Sequence, residues 1–229
     1  MEQPSSVPCA LCFAAAGPTT VVVCGTCKER RYCSASCRAA DWGVHKQWCG
    51  RSSETGVGFD IRDAGPSKGQ GVFALRDFEV GDKIMVEGPS LQAEHNSPVA
   101  LADLRALSES TSAHLMAMSP LAPAEAVGEE AVLAALQLKF TNNAIDLGDG
   151  MHTSGLFLTI CRVNHDCVGN CEHYYLAEHG VMMLVATRKI RAGQEVTFSY
   201  VSDCATHGQR TEKLMHWGIH CQCSVCAAP

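Results

Sequence analysis

Hydrophobic and polar positions follow three successive patterns along the chain. Short apolar runs separated by turn residues fill FDIRDAGPSKGQGVFALRDFEVGDKIMVEG (59–88) and predict short strands with hairpin connections at DAGPSKGQG and EVGD. Residues 98–119 and 124–143 are Ala/Leu-rich with helical spacing, and Ser97-Pro98 and Pro123 are placed to begin helices. Strand patterns return from residue 155 in GLFLTICRV, CEHYYLAE, GVMMLVATRKI and QEVTFSYV. This order predicts an α+β fold of small antiparallel sheets with a helical insert.

Shifts in composition divide the 229 residues into a small module and a larger domain. Cysteines are concentrated before residue 50 and after residue 160, and the polar stretch GRSSETGVG follows the first group. We therefore predict a Cys-rich module at 1–50, a linker at 51–58, a main domain at 59–202 with its insert at about 90–150, and a Cys-rich tail at 203–229. Such a chain can bury one sizeable core plus a satellite module.

The sequence carries no recognisable signal for export or membrane insertion. Its start, MEQPSSVPC, lacks a basic and an apolar segment, and runs such as GLFLTI are too short for a membrane span. We expect a monomer in the reducing cytoplasm or nucleus, with no membrane partner. The 14 cysteines are then better explained as metal ligands than as disulfides. The formal net charge of -6 argues against nucleic-acid binding.

The first fifty residues contain four closely spaced ligand pairs, which are Cys9/Cys12, Cys24/Cys27, Cys33/Cys37 and His45/Cys49. Thiolates and imidazoles are the donors that zinc prefers, and eight of them suffice for two tetrahedral ions. Few large apolar side chains are present, so metal binding would supply most of the stability, on the order of 10 kcal/mol per structural site.

The tail HWGIHCQCSVC offers three more ligands, which are Cys221, Cys223 and Cys226. A tetrahedral zinc ion needs a fourth, and the stretch VNHDCVGNC (163–171) offers Cys167 or Cys171. Spacing alone does not separate these two. We predict a third zinc ion that holds the tail beside Asn164 and His165. Apart from this candidacy of Cys171, the cysteines Cys161, Cys171 and Cys204 are assigned no role beyond buried or free thiols.

The segments RRYCSASC and HKQWC resemble a MYND zinc finger, and the resemblance covers the first fifty residues. It implies interleaved ligand sets, with Cys9, Cys12, Cys33 and Cys37 on one ion and Cys24, Cys27, His45 and Cys49 on the other. It also implies binding of peptides, often Pro-rich ones. The basic residues of this module (Lys28, Arg30, Arg31, Arg38 and Lys46) could also contact phosphates, and the alternative for them is an ordinary solvated charged face.

The larger domain resembles SET-domain protein lysine methyltransferases of the kind that also carry a MYND finger. Four motifs occur in order: SKGQGVFA, VNHDC, GQEVTFSY and CQCSVC. The resemblance implies a SET fold with a zinc-binding post-SET tail, S-adenosylmethionine as methyl donor, and Cys167 as the fourth ligand of the third zinc ion. Tyr200 is the implied catalytic residue. The implied cofactor-binding residues are Lys68, Gly69, Gln70, Gly71, Asn143, Asn164, His165, Tyr200, Trp217 and Ile219.

The chemistry expected of these residues is methyl transfer to a lysine amine in a basic protein segment, such as a histone tail. A lysine with its ordinary pKa near 10.4 is protonated at neutral pH and cannot attack, so an apolar channel must lower that pKa. Tyr200 would orient the reacting groups, and His165 is a less favoured candidate base. The acidic net charge favours a basic substrate. The alternative function is a non-catalytic adaptor that binds partner peptides.

The chain departs from the family pattern at several points. The finger precedes the glycine turn instead of interrupting the SET domain, which leaves its position relative to the substrate groove open. NHDCVGN replaces the usual serine and proline with Asp166 and Gly169. In the tail, Ile219 replaces an aromatic residue that would stack on adenine, and Trp217 replaces a tyrosine. The change at Ile219 predicts weaker cofactor binding.

Overall fold

The computed structural model describes residues 7–12, 14–16, 20–50, 54–94, 97–117, 128–148 and 152–227. The N-terminal finger contains two short hairpins and one helix. These are β1 (Val7–Pro8) paired with β2 (Ala15–Ala16), β3 (Val22–Val23) paired with β4 (Arg31–Tyr32), and α1 (Ala35–Trp48). Helix α1 begins after Ser34 because the Ser34 hydroxyl accepts a hydrogen bond from the Cys37 N–H at 3.1 Å. Its small core consists largely of cysteines around the fully buried Tyr32.

The larger domain alternates strands with a helical insert, as predicted. Its elements are β5 (Phe59–Asp63), β6 (Gln70–Ala74), β7 (Lys83–Glu87), β8 (Leu91–Glu94), α2 (Leu101–Ala106), α3 (Glu109–Met116), α4 (Glu129–Asn143), β9 (Ile145–Asp146), β10 (Thr153–Leu156), a 3-10 helix (Ile160–Arg162), β11 (Asn164–His165), β12 (Cys171–Leu176), β13 (Val181–Ala186), β14 (Glu195–Phe198) and α5 (His207–Met215).

The ten strands of this domain form three small sheets within the described residues. Their strand orders are β11–β14–β6–β5, β12–β13–β7 and β8–β10–β9. All pairings are antiparallel except that of β11 with β14, which is parallel. The α+β class is confirmed. The parallel pair brings the Asn164–His165 segment, part of the predicted site, beside the strand that leads to Tyr200.

The helical insert differs from its prediction in detail. The expected helix at 98–119 is two helices, because Leu107 is extended and Ser108 caps α3 by accepting the Thr111 N–H at 3.1 Å. The predicted start at Ser97-Pro98 is wrong, since α2 begins at Leu101. Pro123 lies outside the described residues. Within the part of the chain that the structure describes, no helix has the length and apolarity needed to cross a membrane.

Two hydrophobic cores meet near the predicted site. The larger lies among the sheets and includes Phe78, Ile84 and Leu184, all fully buried. The second lies between α2–α4 and the sheet of β8 and β10. Cys161 packs against both cores. Each fully buried large side chain stabilises the fold by about 1.5–3 kcal/mol, so the helical insert is firmly attached beside the segment that precedes Asn164.

The finger is fixed to the larger domain by a buried polar network. Arg30 lies 2.7 Å from Asp41 and 2.8 Å from Glu54, a residue of the predicted linker that is only 6% exposed. The Tyr32 hydroxyl donates to the same Asp41 carboxylate at 2.6 Å. At the end of α1, the Trp48 ring meets His179, in the turn between β12 and β13, with ring centroids 5.7 Å apart. The finger therefore packs on the β12–β13 hairpin.

Candidate functional site

The predicted metal ligands gather into three groups of four. Within each group, all ligand atoms lie within 4.8 Å of one another. The groups are Cys9, Cys12, Cys33 and Cys37; Cys24, Cys27, His45 and Cys49; and Cys167, Cys221, Cys223 and Cys226. The first two groups have the interleaved ligand sets that the MYND resemblance implies.

The separations between ligand atoms suit tetrahedral zinc. With Zn–S bonds of about 2.3 Å, two sulfurs on one ion should lie about 3.8 Å apart, whereas disulfide sulfurs lie about 2.05 Å apart. The observed Sγ–Sγ distances are 3.5 Å for Cys12–Cys33, 3.7 Å for Cys24–Cys49 and 3.8 Å for Cys167–Cys221. Thiolate-rich sets at this spacing fit zinc ions, and the described residues contain three such groups.

Cys167 and not Cys171 joins the third group. The Cys171 side chain is buried in the main core, where its thiol donates to the Thr197 carbonyl at 3.2 Å. Burial raises the pKa of the Cys171 thiol far above its ordinary value. Cys167 lies instead 3.5 Å from Cys226 across the third group. The ambiguity that spacing left open is resolved by the direction in which strand β12 places its first side chain.

Within the third group, the surroundings shift the pKa values of the thiols in different directions. Burial and the neighbouring thiols raise the pKa of Cys167. Burial also opposes ionisation of Cys223, but backbone N–H groups of Cys226 and Val225 more than offset it and lower the pKa of that thiol to about 7. The Arg210 guanidinium of α5 lies beside Cys226 and Cys167, and its interaction with them raises its own pKa. This arginine offsets part of the negative charge that four thiolates would bring to zinc.

The glycine turn connects β5 with β6. The Ala64 N–H donates to the Gly69 carbonyl at 2.6 Å, and Gly69 adopts a φ of 66°, in the left-handed region that favours glycine. Lys68, at 43% side-chain exposure, projects from this turn. A Cβ on Gly71 would lie 2.8 Å from both Asn164 Nδ2 and Glu195 Oε1. Glycine is therefore required at position 71 because the backbone there lies close to the side chains of Asn164 and Glu195.

Asn164 is joined to the glycine turn by hydrogen bonds. Its Nδ2 donates to the Gln70 carbonyl at 3.1 Å and to Glu195 Oε1 at 2.8 Å. The other carboxylate oxygen of Glu195 lies 2.7 Å from Lys68 Nζ. Three of the predicted cofactor residues thus meet around one carboxylate.

Tyr200 follows β14 and is held on several sides. Its hydroxyl donates to the Val163 carbonyl at 2.7 Å, and its ring centroid lies 5.3 Å from those of His165 and Phe198. Trp217 approaches it edge-on at 6.0 Å. Burial raises the pKa of the Tyr200 phenol well above its ordinary value. The phenol therefore stays protonated at neutral pH, and because its proton is donated to Val163, its oxygen retains lone pairs that can accept a hydrogen bond.

His165 uses both ring nitrogens within the protein. Its Nδ1 accepts the Tyr200 N–H at 3.1 Å, so the ring proton belongs on Nε2, which lies 3.3 Å from the Cys167 sulfur. Burial lowers the pKa of His165. The imidazole is neutral with both nitrogens engaged, an arrangement that does not favour His165 as a base.

The remaining predicted cofactor residues are less closely connected. Asn143 ends α4. Its side-chain Nδ2 donates to the Lys139 carbonyl at 2.8 Å, and its backbone carbonyl accepts from the Cys161 thiol at 2.9 Å. Ile219 is half-buried, and its N–H donates to the Leu214 carbonyl at 3.0 Å. Among the described residues, Ile219 makes no hydrogen bond to the other predicted cofactor residues. Trp217 contacts Tyr200, whereas the hydrogen bonds of Asn143 to described residues are those to Lys139 and Cys161.

Sequence reasoning missed several buried polar residues that support the site. Arg162, 5% exposed, donates from Nη1 to the Gln70 side-chain oxygen and from Nε to the Leu158 carbonyl at 3.1 Å. Glu87 accepts the N–H groups of Thr159 and Ile160 and so caps the 3-10 helix before Asn164. Glu195 lies in the motif GQEVTFSY, but its partners Lys68 and Asn164 are remote in sequence. The sequence signal for Glu195 was a single charged residue at the start of an apolar strand.

Both departures in NHDCVGN have a local explanation. The Asp166 carboxylate accepts the Val168 N–H at 2.8 Å, forming the side-chain turn that a serine can also form. A Cβ on Gly169 would lie 2.6 Å from both the Phe198 Cα and the Thr197 carbonyl oxygen. The backbone of this chain therefore requires glycine at 169.

Family comparisons agree with this geometry. A SET domain model matches residues 69–201, more than half of the chain, and a MYND finger model matches residues 9–49. The chain belongs to the SET domain family and carries a MYND finger before that domain.

Among curated proteins, the chain is similar to histone-lysine N-methyltransferase set5 of Schizosaccharomyces pombe, with 30% identity over 163 residues that cover 71% of this chain and 48% of that protein. It is also similar to human histone-lysine N-methyltransferase SMYD3, with 25% identity covering 92% of this chain and 50% of that protein. SET domain and MYND-type zinc finger protein 6 of S. pombe is 24% identical over 89% of this chain and 40% of its own length. The chain spans about half, or less, of these relatives.

Proposed function

We propose that the chain is an S-adenosylmethionine-dependent protein-lysine N-methyltransferase. The observation that carries the proposal is the meeting of Lys68, the Gln70–Gly71 backbone and Asn164 around Glu195, with Tyr200 just beyond the end of the strand that Glu195 begins. The relatives named histone-lysine N-methyltransferases support the same reaction class. The proposed substrate is a Lys-containing basic segment of a histone or another protein, reached in the nucleus or cytoplasm by a monomeric enzyme. Pro-rich peptides are the proposed partners of the finger.

The bound cofactor would supply an electrophilic methyl group on a sulfonium. Lys68, Gly69, Gln70, Gly71 and Asn164 would hold its amino-acid end, and His165 and Trp217 would contribute to the adjoining wall. Asn143 and Ile219 are proposed on the family resemblance alone.

The enzyme must bind the substrate lysine with its amine in the neutral form. Phe198, Tyr200 and Trp217 form an aromatic group in which desolvation would lower the pKa of an entering lysine. Tyr200 can accept an N–H from that amine because its own proton is donated to Val163. Since the ring nitrogens of His165 are engaged, the amine proton leaves to solvent before attack, and Tyr200 acts by orientation.

The test combines cofactor binding with methyl transfer. Zinc-loaded protein is titrated with S-adenosylmethionine by calorimetry and then screened for radiolabelled methyl transfer on an array of basic peptides. Saturable binding and transfer to lysine-containing peptides, lost when lysine is replaced by arginine, are expected. A sample with three zinc ions per chain that binds no S-adenosylmethionine would refute the proposal and leave the adaptor function.

A further inference from the structure

Glu195 connects two side chains that are separated by nearly a hundred residues in sequence. Its Oε2 lies 2.7 Å from Lys68 Nζ, and its Oε1 lies 2.8 Å from Asn164 Nδ2. The Glu195 side chain is 18% exposed, so it is shielded from water more than Lys68 is. Hydrogen bonds to an ionised carboxylate are roughly twice as strong as neutral ones, so Glu195 can fix the positions of both partners.

The hydrogen-bond partners determine the orientation of the Asn164 amide. Nδ2 of Asn164 faces two acceptors, Glu195 Oε1 and the Gln70 carbonyl. A flipped amide would place its oxygen against both acceptors and lose two hydrogen bonds. The carbonyl oxygen of Asn164 must therefore point away from the carboxylate, where it is available to accept a hydrogen bond from a ligand.

The packing leaves little freedom for another arrangement. Gly71 lies against the contact between Asn164 and Glu195, since a Cβ there would be 2.8 Å from an atom of each. Strand β14 pairs with β6, with Glu195 opposite Phe73, so the backbone below the carboxylate is fixed by the sheet.

We propose that Glu195 is a positioning residue that turns the Asn164 carbonyl oxygen toward the α-ammonium group of the methyl donor. The inference rests on the proposed function, because it assigns Asn164 to the amino-acid end of S-adenosylmethionine. It adds a residue that acts through Asn164 without itself contacting the donor.

The first experiment compares two ligands. Calorimetry measures the Kd of wild type and Glu195→Gln for S-adenosylmethionine and for an analogue that lacks the α-amino group. A glutamine side chain can donate as well as accept, so it no longer enforces one orientation of the Asn164 amide. We expect Glu195→Gln to weaken S-adenosylmethionine binding about fivefold and to change binding of the desamino analogue less than twofold. Equal losses for the two ligands, or no loss for either, would overturn the inference.

The second experiment asks whether Glu195 acts through Asn164. In an Asn164→Ala background, Glu195→Gln should change the Kd of S-adenosylmethionine less than twofold, because the amide to be oriented is absent. If the full loss persists in that background, Glu195 contacts the donor itself and the positioning role is wrong.

Glu79→Gln serves as the matched control, because Glu79 also pairs with a lysine, Lys189, but on an exposed surface formed by other residues. It should leave both Kd values unchanged. Folding of each variant is checked by zinc content and by the urea midpoint. If Glu195→Gln does not fold, Glu195→Asp, which is one methylene shorter, is judged by the same criteria. No binding by the wild type would refute the proposed function itself, whereas wild-type binding with an unaffected Glu195→Gln refutes only the role of Glu195.

Discussion

Placing proline at position 169, where the family pattern has it, should lower the unfolding free energy of this protein. A Cβ at 169 would lie 2.6 Å from the Phe198 Cα and the Thr197 oxygen and 3.0 Å from the Phe198 nitrogen. Ordinary contacts between carbon atoms lie at about 3.5–4.0 Å, and all three neighbours are backbone atoms of β14 that cannot rotate away. Overpacking of a tight site costs about 1–3 kcal/mol, so Gly169→Ala should lose about 3 kcal/mol of unfolding free energy. Gly169→Pro should lose about 1 kcal/mol more, because the Gly169 N–H donates to the Asp166 carbonyl at 3.1 Å.

Two other glycines calibrate this prediction. At Gly71 the two nearest atoms, Asn164 Nδ2 and Glu195 Oε1, end side chains that yield more easily than backbone does, so Gly71→Ala should cost about 1–2 kcal/mol. At Gly208 in α5 nothing lies within 4 Å, so Gly208→Ala should be neutral or stabilise by up to about 0.5 kcal/mol. Urea unfolding of zinc-loaded protein, followed by circular dichroism, should give unfolding free energies that decrease in the order Gly208→Ala, Gly71→Ala, Gly169→Ala, Gly169→Pro. The reasoning would be refuted if the unfolding free energy of Gly169→Ala lay within 0.5 kcal/mol of the wild-type value, or if Gly169→Pro were more stable than Gly169→Ala.

Three further predictions concern the metal groups and Tyr200. Cys226→Ser and Cys24→Ser should each lower zinc content from three ions to two, but only Cys226→Ser should abolish S-adenosylmethionine binding; loss of binding in both would mean that the finger also holds the site. Arg210→Ala should speed zinc release from the third site to a chromogenic chelator, with Arg210→Lys intermediate and the two finger sites unchanged; unaltered release kinetics would exclude a charge-offsetting role for Arg210. Tyr200→Phe should cost about 1 kcal/mol of stability through its lost bond to Val163, and should abolish methyl transfer while Kd for the cofactor changes little. Tyr174→Phe, which removes an exposed hydroxyl, is its control, and wild-type turnover by Tyr200→Phe would show that the phenol is not needed.

The sequence was most informative where chemistry is local. Paired ligands two or three residues apart, such as Cys24 and Cys27, predict a metal site because one tight turn delivers both. The glycine turn was recognisable for a similar reason, since Gly69 needs its left-handed backbone for the hairpin itself. Motif order then gave the SET family, which the family comparison confirms.

What escaped prediction depends on contacts between distant segments. Lys68 and Glu195 are 127 residues apart, and their pairing follows from the order β11–β14–β6–β5, which no single-sequence pattern specifies. The linker was predicted from its polar composition, yet Glu54 is buried there because Arg30 of the finger reaches it. Ser108 interrupts a helical pattern because its hydroxyl caps the next helix, a local option that periodicity does not detect.

The third metal group differs from the other two in how it connects to the proposed chemistry. Cys167 lies 3.3 Å from Nε2 of His165, whose Nδ1 accepts the N–H of Tyr200 at 3.1 Å, so two hydrogen bonds join a predicted zinc ligand to the proposed catalytic residue. A zinc-bound thiolate accepts the Nε2 proton better than a thiol does, and this fixes the tautomer that leaves Nδ1 free to accept from Tyr200. The finger groups reach the larger domain differently, through Arg30 and Glu54. Zinc bound at the tail would therefore help His165 to orient the Tyr200 backbone, whereas zinc bound in the finger would stabilise a docked module.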